Sequence, residues 1–485
     1  MIEFLMHETL RQETHLDPNL TILRYLREMH GKTGTKEGCA SGDCGACTVV
    51  LAEPAGDRLR YQAINACITL VPVLHGKQLI TVEDLQQSDG LHPVQRAMAD
   101  LHGSQCGFCT PGFVMSLFAL AKNHRHAGRA ETVEAIAGNL CRCTGYRPII
   151  DASVQALEAL DQRGWPADSF DQRHAETLQR LRGITLEADQ TLDNRRHTSH
   201  MPTSAEQVAG LLSGEPHARL VAGATDLGLE ITQQHQAFPT LIHLDFVADM
   251  QTITVDEASI EIGAAVNLTD CHATLARNFP DFGGLLERFA ATQIRNRATL
   301  GGNLATASPI GDTPPLLIAL DATLVIRRGT DRREVPADAF FPGYRQTDLQ
   351  PGEFIERVRL PRQPDHRLFA YKVSKRLDDD ISAVCGAFNL DLDQATQHVR
   401  DVRIAFGGMA ATPARACGCE AVLRGSPLTE GVIEQACAAL EKDFSPISDA
   451  RASADYRREI AGNLLRRAFM RAQGVHEPLT VTDHA

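Results

Sequence analysis

The stretch Gly38-Cys39-Ala40-Ser41-Gly42-Asp43-Cys44-Gly45-Ala46-Cys47-Thr48-Val49, with Cys67 further along, decides how this chain is read. Three cysteines in C-x4-C-x2-C spacing, followed by a fourth, form the ligand pattern of a plant-type [2Fe–2S] centre. Glycines crowd the loop, which suits inorganic sulfides that need backbone N–H donors and no side chains close by. A second group, Cys106-Gly107-Phe108-Cys109 closed by Cys141-Arg142-Cys143, brings four more thiolates at a different spacing. Eight of the 13 cysteines then serve two one-electron centres, and the chain is expected to move electrons. Two other readings compete. A disulfide framework suits a secreted chain, but no basic segment with an apolar stretch opens this one, so no signal peptide is expected. Structural zinc favours paired C-x2-C or Cys/His knuckles, which the first group does not make. Zinc stays open for the second group, whose C-x-C is unusual for either centre.

The chain has 485 residues, which at about 150 per domain suggests three or so domains. Apolar residues make up 43% and charged residues 22%, ordinary values for a globular protein. No apolar run reaches the roughly 20 residues of a membrane span, so no membrane is expected as partner. A net charge of −13 argues against nucleic acid. So many free thiols point to the reducing cytoplasm.

From Met1 the chain reads as a small β-rich unit: an apolar strand at Ile2–Met6, helical spacing over Asn19–Arg27, the cysteine loop, and a β-branched strand from Thr48. The next segment reads as helical, with openings at His92-Pro93, at Thr110-Pro111 with Thr110 as cap, over Glu131–Leu140, and after Arg147-Pro148. A helix starting just after Cys109 would turn its positive end toward an anionic cluster. The polar stretch from Gln162 to His200 reads as a linker with one short helix around Thr177–Leu181, and Trp165 as a packing anchor in it. Beyond Met201, short β-branched strands alternate with helices. Leu220-Val221-Ala222-Gly223-Ala224-Thr225-Asp226-Leu227 is a strand running into a glycine turn, and Thr299-Leu300-Gly301-Gly302-Asn303 reads as a second such turn. Neither is G-x-G-x-x-G, but two such turns could cradle both ends of a dinucleotide with backbone N–H groups. One-electron centres need a partner that converts between one- and two-electron steps, and a flavin does this.

These motifs together resemble the iron–sulfur and flavin part of the xanthine dehydrogenase family of molybdenum hydroxylases. The first cysteine loop resembles its ferredoxin domain, although Gly38-Cys39-Ala40-Ser41 departs from the commoner Cys-Gly-Glu-Gly. Gln105-Cys106-Gly107-Phe108-Cys109-Thr110-Pro111-Gly112 and Asn139-Leu140-Cys141-Arg142-Cys143-Thr144-Gly145-Tyr146 resemble its helical cluster domain, and Gly301 to Asp312 its FAD domain. Phe340-Phe341-Pro342-Gly343-Tyr344-Arg345 and Arg376-Leu377-Asp378-Asp379-Asp380-Ile381 look more like xanthine dehydrogenases than CO dehydrogenases.

The resemblance implies a multidomain α+β chain. It would comprise a ferredoxin β-grasp domain (1–74), a four-helix [2Fe–2S] domain (75–160), a linker (161–200), an FAD-binding domain (201–365) and a small C-terminal α+β domain (366–485). It implies FAD contacts at Leu220 to Leu227, Phe289, Thr299 to Asn303, Asp312, Ile355 and Lys372, with Asp226 standing where the family has a longer acid. Asp379 would lie near the flavin on the side where NAD docks. The molybdenum cofactor would sit on a large partner subunit, in an α2β2 assembly. Electrons would pass from it to the Cys106/Cys109/Cys141/Cys143 cluster, then the Cys39/Cys44/Cys47/Cys67 cluster, FAD and NAD. Hydroxylases of aldehydes, N-heterocycles or aromatic-CoA substrates, and a non-catalytic redox sensor, are the rival readings. Cys271, Cys385, Cys417, Cys419 and Cys437 are expected to be plain thiols.

Overall fold

The computed structural model describes residues 1–87, 90–124, 126–187 and 190–474; residues 475–485 of the expected C-terminal domain lie outside them. Two compact units form, Met1–Ala248 with Ala290–Ala298, and Asp249–Phe289 with Thr299–Ala485.

The first unit opens with a five-stranded sheet of β1 (Ile2–Met6), β2 (Thr9–Glu13), β3 (Thr48–Ala55), β4 (Arg58–Asn65) and β5 (Gln78–Ile80), ordered β2-β1-β5-β3-β4. The pair β1–β5 is parallel and the others antiparallel. Successive side chains on a strand point to opposite faces, and β3 is apolar on both. Val49 and Leu51 pack with Ile2, Phe4, Ile22 and Leu26, whereas Val50 and Ala52 join Phe113, Phe118 and Ile149 of the helices beyond. One strand therefore serves two cores. The expected helix at Asn19–Arg27 is a short α-turn, Ile22–Arg24, capped by Thr21 and running into a π-helical turn, Tyr25–Met29.

Four helices follow, Pro93–Asp100, Thr110–Asn123, Arg129–Ile136 and Arg147–Arg163. The second is buried along most of its length, from Gly112 to Ala121. Thr110 is not its cap: Cys109 holds that position, and the Thr110 hydroxyl donates to Ser104 Oγ at 2.7 Å. The third helix stops at Ile136, four residues short of the expected end, which frees Gly138–Leu140 for the second cysteine loop.

The segment 161–200 holds far more structure than a linker. Helices span Ser169–Gln172 and His174–Arg182, and Phe170, Leu178 and Leu181 join the core of the helical domain. Buried Asp168 takes a hydrogen bond from Lys122 Nζ at 2.6 Å and meets His92 Nε2 at 3.0 Å; Lys122 also reaches Asp171 at 2.7 Å. Trp165 is 59% exposed and meets the His174 ring edge-on, so it stands at the surface and not in a core. Strands Thr191–Asp193, Thr198–His200, Thr240–His243 and Arg219–Val221 make a four-stranded sheet in that order.

The second unit has two antiparallel sheets. One has the order Ile253–Val255, Ser259–Gly263, Phe354–Pro361, Thr323–Arg328, Asp331–Pro336; the other has His366–Val373, Val384–Leu392, Val399–Gly407, Ala414–Arg415. Helices Cys417–Leu423, Glu430–Asp443 and Ala454–Ala472 bury Phe388, Ile404, Phe406, Leu465 and Phe469 against the latter sheet.

Candidate iron–sulfur and flavin sites

The first cysteine loop is held open by left-handed residues, Ala40 (φ +52°), Gly42 (φ +83°) and Gly45 (φ +65°). Such bends turn backbone N–H groups inward. The N–H groups of Ser41 and Cys44 both lie 3.4 Å from Cys39 Sγ. Asn65 Nδ2 donates to Gly42 O at 2.6 Å and fixes the loop from the sheet. The four sulfurs interact. Hydrogen bonds from Cys44 and Cys67 hold the Cys39 thiol far below its ordinary range, and the same bonds push Cys44 and Cys67 far above it. Cys47 is the further neighbour of both Cys44 and Cys67. The structure thus brings together all four residues of the first quartet.

The second quartet forms two pairs. Cys109 lies beside Cys141, and its thiol is pushed up to about 12 by burial and by that neighbour. Cys106 lies beside Cys143, whose thiol is raised by the Cys106 hydrogen bond. Burial opposes ionisation of Cys141, but the Thr144 hydroxyl at 3.1 Å and its N–H at 3.4 Å outweigh it and bring the thiol below its ordinary range. Tyr146, at φ +68°, accepts the Cys141 N–H on its hydroxyl at 3.0 Å. Cys141 is buried and Cys109 half-buried; Cys106 and Cys143 are exposed. The 14-residue helix begins immediately after Cys109, so its positive end lies at the second quartet. Among the described residues no three His, Cys, Asp or Glu side chains close round a point as a single-ion site requires. A two-iron centre asks only for a thiolate pair at each iron.

A hydrogen bond from the Leu140 N–H to Cys44 O, 3.0 Å long, ties the two loops together one residue from Cys141. Asn139 clamps the joint: its amide donates to Gly45 O (3.1 Å) and Thr48 Oγ1 (3.3 Å) and accepts from Ser116 (2.7 Å) and Gln293 (3.0 Å). Backbones touch here, since a Cβ on Gly112 would stand 2.1 Å from Gly45 O. Reading the cysteines alone passed over Asn139 and Leu140, although both lie in the quoted stretch.

The turn at 220–227 lies in the same unit. Gly223 (φ +95°) passes so near Arg297 that a Cβ would meet its carbonyl oxygen at 1.8 Å, and Ala224 follows at φ +64°. Among the described residues the N–H groups of Gly223, Ala224 and Thr225 make no hydrogen bond. Three free N–H groups in a left-handed bend, next to a short helix (Leu227–Thr232), fit a pyrophosphate. That helix ends on the first cysteine loop: Thr232 donates to Ala40 O at 2.7 Å and Gln233 to Cys39 O at 3.1 Å. Neither residue carried a signal in the sequence.

In the second unit the stretch 299–303 is a helix start, not a glycine turn after a strand. Thr299 caps helix Leu300–Ala305. Its first N–H groups are taken, Leu300 by Val266 O (3.2 Å), Gly301 by Ala264 O (3.1 Å) and Gly302 by Thr299 Oγ1 (3.0 Å). Gly301 is required by packing, since a Cβ would stand 2.5 Å from that of Ala264. A nest of free N–H groups is therefore absent at 300–302. Near it, Lys372 Nζ donates to Asp312 Oδ2 (2.6 Å) and Ser382 Oγ (2.9 Å), while the Ser382 hydroxyl donates to Asp312 Oδ1 (2.6 Å); all three residues are buried. Ile355 is buried beside a register shift in the Val325/Ile326 strand. Phe289 lies one residue beyond Arg288, the C-cap of helix Pro280–Glu287, and Arg288 donates to Lys372 O (2.9 Å), Ser374 Oγ (3.3 Å) and Leu377 O (3.4 Å). Asp379 sits at φ +46° in the loop those bonds support. Of the remaining cysteines, Cys271, Cys385, Cys419 and Cys437 are buried and pushed up by burial, and Cys417 is exposed.

Similarity to known proteins agrees with this layout. Residues 6–72 match the 2Fe-2S iron-sulfur cluster binding domain and 81–154 the [2Fe-2S] binding domain. Residues 195–363 match the FAD binding domain in molybdopterin dehydrogenase, and 369–472 the CO dehydrogenase flavoprotein C-terminal domain. The chain belongs to the molybdenum hydroxylase family. It is an electron-transfer chain with two [2Fe–2S] domains and an FAD-binding domain. Xanthine dehydrogenase of Emericella nidulans is 35% identical over 89% of this chain, and that of Drosophila subobscura 33% over 94%. The chain spans about a third of the length of these relatives (35% and 38%). A chain of the reconstituted CO dehydrogenase from Oligotropha carboxidovorans superposes with a TM-score of 0.53 at 29% identity, over 57% of this chain and 96% of that one. Among the described residues no helix is long and apolar enough to cross a membrane.

Proposed function

We propose that the chain is the iron–sulfur/FAD part of a xanthine dehydrogenase that reduces NAD. The observation that carries this reading is the pair of cysteine quartets on one unit, joined by the Leu140–Cys44 hydrogen bond, with helix Leu227–Thr232 leading from the first quartet to the open turn at 223–225. When bound, the clusters and flavin supply stepwise one-electron transfer and its conversion to hydride transfer. The chain's own residues hold and space these groups. Cys39, Cys44, Cys47 and Cys67 are the ligands of one cluster, and Cys106, Cys109, Cys141 and Cys143 of the other. Gly223 to Thr225 take phosphate through free N–H groups. The other residues of 220–227, with Phe289, Thr299 to Asn303, Asp312, Ile355 and Lys372, complete the FAD contacts, and Asp379 faces NAD. Hypoxanthine or xanthine would be oxidised at a molybdenum centre on a partner chain, in an α2β2 assembly within the reducing cytoplasm; 13 cysteines with no disulfide among the described residues are in keeping with that compartment. Similarity to xanthine dehydrogenases over most of the chain supports the purine substrate.

The chain alone is expected to oxidise NADH with an artificial acceptor and to leave xanthine untouched; adding the molybdenum chain restores purine oxidation coupled to NAD. Purine turnover by the isolated chain, or a failure to use NADH when FAD is bound, refutes the assignment.

A further inference from the structure

Lys372, Asp312 and Ser382 close a ring of three hydrogen bonds: Lys372 to Asp312, Lys372 to Ser382, and Ser382 to Asp312. Lys372 and Asp312 are among the proposed FAD contacts; Ser382 is not. We propose that Ser382 is a positioning residue that sets the Lys372 ammonium for the flavin and anchors the end of the Asp379 loop. The inference rests on Lys372 and Asp312 facing FAD.

The three come from separate places: Asp312 before helix Thr313–Ala319, Lys372 in strand His366–Val373, and Ser382 just before strand Val384–Leu392. Each is at most 7% exposed. A buried ammonium and a buried carboxylate need each other, but one bond leaves both free to swivel. The Ser382 hydroxyl removes that freedom. It accepts one Lys372 proton and fills Asp312 Oδ1, so Asp312 cannot grip the ammonium with both oxygens. Among the described residues Lys372 Nζ makes these two hydrogen bonds, which leaves one N–H uncommitted, and a buried cation with one donor in reserve suits an electron-rich ring. The loop depends on the same hydroxyl. Residues 374–382 leave and return through a neck closed by the Ala383 N–H on Val373 O at 2.8 Å. Arg288 braces the outgoing side and Ser382 the returning side, with Asp379 between them.

Without the hydroxyl, Asp312 draws the ammonium toward itself with both oxygens and away from the flavin. The reduced, more anionic flavin loses support, and its midpoint potential falls. The test is potentiometry of the full chain loaded with iron and FAD. In Ser382→Ala the ratio of reduced to oxidised flavin at a fixed potential is expected to fall about tenfold, or ~30 mV for a two-electron couple. FAD and iron content and both cluster EPR signals should stay as in the parent. Ser382→Thr, which keeps the hydroxyl, should restore the potential. If Ser382→Ala does not accumulate, Ser382→Cys decides, since a thiol bonds weakly and should give a smaller shift in the same direction. An unchanged potential in Ser382→Ala (or Ser382→Cys) alongside a shifted one in Lys372→Met overturns the positioning role alone. Unchanged FAD content and potential in both Ser382→Ala and Lys372→Met overturn the flavin placement beneath it.

Discussion

Gly112→Ala puts a methyl group where the two cluster loops meet. Its Cβ would stand 2.1 Å from Gly45 O and 3.2 Å from Asn139 Nδ2. A relaxed C···O contact is about 3.3 Å, so the loops must part by roughly 1 Å. Gly45 cannot swing aside. It sits at φ +65°, its carbonyl receives the Thr48 N–H (3.1 Å) and hydroxyl (2.7 Å), and its other side is closed by Gly138. The strain therefore falls on helix Thr110–Asn123 or on the Leu140–Cys44 hydrogen bond. Overpacking of this kind costs about 1–3 kcal/mol. Helix propensity returns up to about 1 kcal/mol, since alanine is the better helix former. The expected net result is a loss of up to about 2 kcal/mol, with altered magnetic coupling between the two clusters by EPR. Gly210→Ala is the control: the site is helical and nothing lies within 4 Å, so it should gain stability. Urea unfolding followed by cluster absorbance compares the two. If Gly112→Ala unfolds no earlier than the parent and both EPR signals are unchanged, the glycine contact does not hold the clusters in place.

Three further outcomes are expected. Cys141→Ser should abolish one of two EPR signals and spare the other, and loss of both would mean the quartets are not separate sites. Gly223→Ala has a Cβ 1.8 Å from Arg297 O at φ +95°, so it should purify with normal iron and little FAD; full FAD content would show that the turn holds no phosphate. Burial opposes ionisation of Glu53, but Lys77 and Arg60 outweigh it and lower the carboxyl from 4.5 to about 2. With the folded value depressed, the stabilisation is full above about pH 4.5 and drains away as pH falls toward 2. Glu53→Gln should flatten the urea midpoint across that window, and an unchanged slope refutes the assignment.

The cysteine quartets were legible because thiolate chemistry fixes spacing: C-x4-C-x2-C survives any surrounding fold. The turn at Gly223 was legible because a strand running into glycine predicts a left-handed bend, and φ of +95° bears it out. The same logic failed at Gly301-Gly302. Two glycines look like a turn on propensity, but Thr299 is a helix cap and the glycines answer to packing against Ala264. The segment 161–200 misled for another reason. Its helix Ser169–Gln172 is too short to show a period, and its anchors, the bonds from Asp168 to Lys122 and His92, span 46 and 76 residues. Thr232 and Arg288 act through geometry and carried no pattern of their own, and Asn139 lay in a quoted stretch without being singled out.

Residues 290–298 belong with the iron–sulfur unit, although the chain on either side of them belongs to the other. Gln293 closes the Asn139 clamp, Asn296 donates to Ala63 O at 2.8 Å, and Arg297 supplies the carbonyl over Gly223. A gene fragment ending at Ala248 would encode both cysteine quartets yet leave those three places unfilled. During synthesis the unit must likewise wait, nearly finished, until 50 further residues after Ala248 have left the ribosome. The segment of this unit that arrives last is the one that closes the Asn139 clamp and stands over Gly223.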